Sequence, residues 1–514
     1  MILLINPPLV KPSEPPPGIA RLYGALTAAG VKCSVIDANI EAVLYLLDQP
    51  VDGSDRWTLR AVRGREKNLA SIRSPGGYAE LQRYKRTVSD LNRLLEKTAG
   101  NGPVRLSLSN YLHSELSPVR SRDLLRSAEE YAKNPFHGYF SKRLAEAMER
   151  DSPEVVGFSL NFLSQALSVF AMIGWAKAHF PAVRIALGGG LVTSWVRNPR
   201  WKNPFAGLVD HLIDGPGERA LVEIAGKQPE GRPVPCPDYS LFSLDDYLAP
   251  GRIVPYSSSS GCYWNRCAFC PEAAEGTRYE PAHPAAARGD AGKLAGRFRP
   301  ALLHFLDSAV SPALLRRIAK DPPGAPWYGF VRITRSLADE DFCRALRKSG
   351  CVMLKLGLES GDQGVIDSEG KGIDLEIASK ALAALKRAGI GTYVYLLFGT
   401  PSESADEARH TLEYTVRHSS MIDFLNLAVF NMPVNSPDAA RFGTSPHYAG
   451  DLSLYTDFSH PKGWDRSRVR HFLDREFKRH PAIAPIVAKD PPHFTSNHAP
   501  FFCEGLRRGR RGPE

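Results

Sequence analysis

Residues 260–270 read SGCYWNRCAFC, and they place Cys262, Cys267 and Cys270 within nine positions of a chain that has only eight cysteines in 514 residues. Thiols spaced C-x4-C-x2-C do not pair with one another as unstrained disulfides, and they favour a metal. A zinc site needs a fourth ligand, and the nearest candidates, Cys236 and His283, have no recognisable partner spacing. An iron–sulfur cube takes one thiolate per iron, so three cysteines leave one iron without a protein ligand. That iron can then be chelated by a substrate.

The surrounding sequence says where such a cluster would sit. The motif follows IVPYSSSS (253–260), a short apolar strand ending in serines. Further strands are expected at 302–309, 327–334, 352–360, 392–400 and 424–431, with helical patterns such as LADEDFCRALRKSG and LEIASKALAALKRAG between most of them. Six strand–helix units predict a partial (β/α)6 barrel of the TIM type, with its chemistry at the carboxyl ends of the strands. Polar residues gather there: Asp307, Arg332, Glu359 and the Gly399–Ser404 turn. Cys343 and Cys351 flank a helix-to-strand connection and read as buried packing thiols.

A second alternating series precedes the motif. ILLINPP (2–8), CSVIDAN (33–39), VVGFSLN (155–161), RIALGGG (184–190) and HLIDG (211–215) read as strands, and GIARLYGALTAAG, 164–180 and GERALVEIAG as helices. Short apolar strands alternating with helices predict a parallel, Rossmann-like sheet covered on both faces, with ligands at the strand carboxyl ends. Those ends carry Asn6, Asp37, Asn161, Gly188, Gly189, Gly190 and Asp214 to Gly217. The predicted order is therefore a Rossmann-like domain at 1–228 interrupted by a charged helical insertion at about 49–149, a Pro-rich linker at 229–250, the barrel at 251–434 and a cap with a basic tail at 435–514. The charge runs of the insertion read as solvated faces.

Composition bounds the rest. Hydrophobic residues make up 43% and charged residues 23%, as in a globular protein. No apolar run approaches the roughly 18 residues that cross a bilayer, and few cysteines in a long chain suit a reducing cytoplasm. The net charge of +10 owes part of its excess to Arg507, Arg508, Arg510 and Arg511, which read as a frayed basic terminus.

The cysteine motif, with Phe269 just before its third cysteine, resembles that of the radical S-adenosylmethionine superfamily, whose usual spacing is one residue shorter between the first two cysteines. Several other positions match the same family. Asp307 in HFLDSAV stands at the acidic position after the second strand. Arg332 in FVRIT stands where a basic residue could pair the carboxylate of S-adenosylmethionine. KLGLESG looks like the family's GxESG strand end, which makes Glu359 and Ser360 candidates for its amino and ribose groups. FGTPSES resembles the GxPxET turn, with Gly399 and Pro401 near the adenine. Lys371, in SEGKG, matches a lysine common after that strand, although taken alone it reads as a solvated loop residue. As single residues, Asp307 could also cap the helix after it, Arg332 could form a structural ion pair, and Glu359 could accept hydrogen bonds at the barrel mouth.

The first domain resembles the cobalamin-binding domain of a radical S-adenosylmethionine subfamily. The resemblance lies in INPP, PPPGIARLYGALTAAG, VIDAN, GFSLNFLSQAL, LGGGLVTS and DGPGERALVEI, and it makes Gly188, Gly189, Gly190, Gly215 and Gly217 the positions where backbone approaches the macrocycle. The D-x-H-x-x-G signature is absent, which implies binding without a histidine ligand. The resemblance implies a 4Fe–4S cluster, S-adenosylmethionine, a 5′-deoxyadenosyl radical and cobalamin-dependent methyl transfer to an unactivated carbon of a small-molecule or peptide substrate. It also implies an electron donor such as flavodoxin or ferredoxin. Membrane and nucleic acid are not expected as partners. Two alternatives stand beside this: a radical cyclisation or rearrangement without methylation, and a zinc-stabilised nucleic-acid-binding protein. Residues that select the substrate are expected in the insertion and the cap, where no motif stands out; Trp464 and HFTSNHAPFF there read as packing.

Overall fold

The computed structural model describes the chain except for residues 53–54, 101, 230–234, 447–448, 493–497 and 504–514. The four arginines of the basic tail lie outside the described residues. The chain is mixed α/β with two parallel sheets, and it divides into two compact units. The first comprises Met1–Arg252 with Tyr448–Leu454 and Pro492–Phe494, and the second takes the rest.

In the first unit, five strands form a sheet: β1 (Ile2–Asn6), β2 (Cys33–Asp37), β3 (Val155–Ser159), β4 (Arg184–Gly188) and β5 (His211–Leu212). Their order is β2-β1-β3-β4-β5, and every neighbouring pair is parallel. Both β1 and β3 are buried along their whole length, which is why they read as continuous apolar runs without alternation. The helix Pro17–Ala28 starts with proline at its first position and gives way to Gly30 at φ 68°, as the sequence signals ask. Asp37 caps the next helix, Ala38–Asp48, by accepting from the Asn39 amide. The insertion holds five α-helices among the described residues and one hairpin, Val104–Ser107 with Asn110–His113.

Residues 235–250, read from the sequence as the later part of a linker, carry the buried Tyr239 and Tyr247. Tyr247 donates its hydroxyl proton to Asp37, and the carbonyl of Cys236 packs where a Cβ on Gly24 would stand. Late in the chain, Gly450 meets the backbone of Val119, and Asp451 accepts from the Ser121 amide. A side chain at 450 would place its Cβ 2.0 Å from the Val119 carbonyl oxygen, so glycine is what lets this segment join the first unit.

In the second unit, six strands lie in chain order, all parallel: β6 (Ile253–Tyr256), β7 (Leu302–Phe305), β8 (Trp327–Val331), β9 (Cys351–Glu359), β10 (Gly391–Phe398) and β11 (Phe424–Val429). Helices Pro284–Phe298, Pro312–Lys320, Glu340–Lys348, Leu375–Arg387 and Ala405–Arg417 occupy the connections. Most strands stop two to four residues before the limits the sequence suggests. At the exit of β6 the serines leave the ladder for Asp307 across the sheet's carboxyl edge. A three-stranded antiparallel sheet, Met432–Pro433, Tyr455–Phe458 and Thr444–Pro446, follows.

Candidate functional site

The carboxyl edge of the second unit's sheet is built around the cysteine loop. The loop leaves β6 through Ser258 and Ser259. Both serine hydroxyls donate to Asp307 Oδ1 at 2.6 Å, and the Ser258 amide donates to Oδ2 at 3.1 Å. Asp307, 3% exposed, is therefore an anchor for the strand-to-loop exit. The helix after it is capped by Ser311 instead, whose hydroxyl accepts from the Leu314 amide.

A second anchor comes from residues 369–372, EGKG. The Ala268 amide donates to the Glu369 carbonyl at 2.9 Å, and the Trp264 indole donates to the Gly370 carbonyl at 2.8 Å. Gly370 and Gly372 both have positive φ, at 62° and 65°. A Cβ on Gly372 would lie 2.2 Å from the Trp264 ring, so the glycine is needed both for its conformation and for space. Arg332 stacks on the same indole. Its guanidinium carbon is 4.1 Å from the Trp264 ring centroid, and it donates to the Lys371 carbonyl. The cation–π contact explains why arginine serves here, because a flat guanidinium stacks where an ammonium does not.

Lys371 is buried, not solvated as the isolated sequence suggests. It is 6% exposed, and its ammonium donates to Glu359 Oε1 at 2.7 Å and stands 5.6 Å from the centre of the Phe269 ring. A lysine taken this far from water needs such a partner. Glu359 itself has φ 70°, a region left largely to glycine, at an irregularity in the β9–β10 register. A Cβ on Gly357 would come within 2.6 Å of Glu359 Oε1 and 2.8 Å of Lys371 Nζ. The glycine in KLGLESG thus makes room for the ion pair.

The three motif thiols are free and half-buried. Burial pushes the Cys267 and Cys270 thiols up; the positive charges of Lys371 and Arg332 pull Cys267 back, and backbone N–H donation from Ala273 does the same at Cys270. Among the described residues no three His, Cys, Asp or Glu side chains converge on one point that could hold a metal ion. A cube places its three thiolates on different irons, so they gather around a cluster and not on a single ion. His283 caps its own helix by accepting from the Ala285 amide, and Cys343 and Cys351 are buried packing thiols, the first pushed up to about 12 by burial.

The remaining predicted residues fall on the same edge with their own partners. Ser360 is buried, with its hydroxyl 3.0 Å from that of Thr411. Gly399, at φ 84°, donates its amide to Glu403, and Pro401 is half-buried in the same turn. Sequence reasoning missed Glu403. Its carboxyl is completely buried, accepts from the Trp464 indole at 3.0 Å, and leaves Oε1 without a hydrogen-bond partner. Burial raises its pKa to about 8, against the pull of the two donors. The contact also gives Trp464 a packing role.

In the first unit, the carboxyl edge of the sheet is held by Asn6, which donates to Asp37 at 2.7 Å. Burial lifts Asp37 to about 6. The triple glycine divides into two tasks. Gly189, φ 110°, presses on the Leu160 backbone, and a Cβ there would sit 2.4 Å from the Leu160 oxygen. A Cβ on Gly188 would meet Ile213 at 3.3 Å, whereas Gly190 is exposed and its nearest neighbour would be 3.8 Å away. Gly215, φ 71°, donates its amide to Thr193, and Gly217 packs on Leu22. Phe162, just before the helix Leu163–His179, is 59% exposed, an aromatic that the sequence reading passed over. Gly190 leaves an open shelf at this edge.

No protein-family model matches the chain. A curated relative, the uncharacterized methyltransferase PH0819 of Pyrococcus horikoshii, is 22% identical over 393 residues, covering 69% of this chain and 77% of the relative. Among solved structures, the radical S-adenosylmethionine methyltransferase TsrM of Kitasatospora setae, with tryptophan substrate and an S-adenosylmethionine analogue bound, matches at a TM-score of 0.54 and 16% identity over 96% of this chain and 89% of that one. The same enzyme with cobalamin and a 4Fe–4S cluster bound matches at 0.50 and 16% identity, over 88% of this chain and 84% of that one. The cobalamin-dependent S-adenosylmethionine radical enzyme OxsB, with aqua-cobalamin bound, matches at 0.53 and 13% identity over 71% of this chain and 69% of that one. The two parallel sheets, with the cysteine loop on the carboxyl edge of the second, thus give this chain the fold of the cobalamin-dependent radical S-adenosylmethionine enzymes.

Proposed function

We propose that this chain is a radical S-adenosylmethionine enzyme that transfers a methyl group, by way of cobalamin, to an unactivated carbon of a small-molecule or peptide substrate. In this reading the second unit is a partial (β/α)6 barrel and the first a Rossmann-like cobalamin domain. Cys262, Cys267 and Cys270 hold a 4Fe–4S cluster. The observation that carries the reading is the strapping of the cysteine loop. Asp307, Trp264, Arg332 and the Lys371–Glu359 pair fix it from three strands at the carboxyl edge, while its thiols remain free.

When bound, the cluster supplies an electron for reductive cleavage of S-adenosylmethionine, and cobalamin supplies a methyl carrier. The protein's own residues do the positioning. Arg332, beside its stack on Trp264, would pair the carboxylate of S-adenosylmethionine, and Glu359, while holding Lys371, would meet its ammonium. Ser360, through Thr411, fixes the turn toward the ribose, and Gly399 and Pro401 give a close backbone approach for the adenine. Gly188, Gly189 and Gly190, with Gly215 and Gly217, shape the sheet edge under the macrocycle, and Gly190 leaves room above it. All eight cysteines are free, which suits a reducing cytoplasm and an electron donor such as flavodoxin or ferredoxin.

The test is anaerobic reconstitution followed by iron, sulfide and cobalt analysis, then product mass. One cube and one cobalt per chain, with a product heavier by a methylene, support the proposal. A cube with no cobalt removes methyl transfer, and a product of unchanged mass turns the reading to rearrangement. Metal content unaffected by alanine at Cys262, Cys267 or Cys270 overturns the cluster assignment.

A further inference from the structure

The charged insertion contains a feature that the radical chemistry does not use. Along Arg56–Arg63 and Arg65–Ile72, basic residues recur at 56, 60, 63 and 67; along Leu81–Thr98, Arg83 and Arg86 recur ahead of Asp90. Spacings of three and four put Arg56, Arg60 and Arg63 on one face of their helix and Arg83, Arg86 and Asp90 on one face of theirs, with Lys67 on the helix that follows Gly64. The two faces line a groove of about 830 Å³, walled by Arg56, Arg60, Arg63, Lys67, Arg83 and Arg86 against a single carboxylate, Asp90.

That carboxylate is already spent. Asp90 accepts from Arg60 at 2.6 Å and from the Trp57 indole at 2.9 Å, which ties the two helices together. A second clamp lies beside it, where Arg93 donates to Thr58 and Asp55 at 2.9 Å each. Asp55 and Asp90 therefore serve the helix packing. Among the described residues, Arg56, Arg63, Lys67, Arg83 and Arg86 form no ion pair. Ser71, 7% exposed, also lines the groove, and its hydroxyl is buried against Gly77 with no hydrogen-bond partner.

Five exposed cations around one hollow raise the local positive potential and draw anions to it, an attraction that salt screens. Guanidinium forks match phosphoryl oxygens in pairs, and a terminal phosphoryl group carries more charge than a carboxylate. The volume lies within the roughly 300–1,000 Å³ of small-ligand sites. Cations on both walls require more than one anionic group on the ligand. We propose that this groove binds a small molecule bearing two or more phosphoryl groups. The site is independent of the radical chemistry, so its success or failure leaves that reading untouched.

Titration calorimetry of the full chain with inorganic tripolyphosphate tests it, and so does the shift in melting temperature on adding the same probe. Saturable binding that weakens with salt is expected. The pair Arg63→Gln and Arg86→Gln should lose about tenfold or more in affinity. Arg479→Gln, an exposed arginine elsewhere, removes charge without touching the groove and should bind as the unaltered chain does. Absence of binding, equal affinity in the double variant, or equal loss in Arg479→Gln overturns the proposal. So does binding of single-stranded DNA or an acidic peptide at the groove when tripolyphosphate fails to bind.

Discussion

The Lys371–Glu359 pair shows how one side chain's meaning depends on burial. As a sequence, SEGKG offers a lysine between two glycines, which is ordinary loop chemistry. In the structure both glycines have positive φ and turn the lysine inward beneath Phe269. Glu359→Gln leaves that ammonium buried without its counter-charge, at a cost of about 3–5 kcal/mol. Urea unfolding should show the loss, and reconstituted iron should fall with it. Adding Lys371→Met should recover part of the stability; no recovery would mean that the pair is not what holds the loop. Glu403 makes a different residue-scale case. Its folded pKa, about 8, lies above its ordinary value because burial penalises the carboxylate. Raising the pH removes the proton from the unfolded chain first. The stabilising contribution is therefore complete below the ordinary glutamate pKa and is lost as pH rises through about 8. Glu403→Gln should flatten that decline in a plot of unfolding free energy against pH. An unchanged slope would show that Glu403 does not titrate in this range.

At the scale of elements, the glycines after β4 separate structural need from functional opportunity. Gly189→Ala places a methyl against the Leu160 backbone at positive φ and should destabilise the first unit by about 2 kcal/mol or more. Gly190→Leu has open space and should melt as the unaltered chain does, while obstructing a flat cofactor on that edge. A cobalt content that falls in Gly190→Leu at constant melting temperature supports the shelf; equal cobalt in both chains removes it. The strand ends teach a related lesson. Asp307, Arg332, Ser360 and Gly399 were read within or just beyond apolar runs because hydrophobic patterns do not mark where a ladder stops. At β6 the stop comes where two serines find Asp307 across the edge.

For the molecule as a whole, two parallel sheets were legible because their central strands, such as Ile2–Asn6, Val155–Ser159 and Leu302–Phe305, are buried along their whole length and so appear as apolar runs. The insertion hid its groove for the opposite reason. Its cations sit on exposed faces, and the periodicity of a solvated face and of a binding face is the same. Only the packing of Arg56–Arg63 against Leu81–Thr98 brings the two charged faces to one hollow. The late segment at Gly450 was equally hidden, because a lone glycine in a loop gives no sign of the backbone it will meet.

By itself, the sequence determined the strand-and-helix alternation, the three thiols and their place after a strand, since these depend on local pattern and spacing. The tertiary structure alone decided which charges are buried together. It turned Lys371 from solvent to Glu359, assigned Asp307 to the serines and Arg332 to Trp264, and left Ser71 without a partner. These partners lie from 12 to more than 60 residues apart. Desolvation and pairing are set by distance in space, and that distance exists only once the chain has folded.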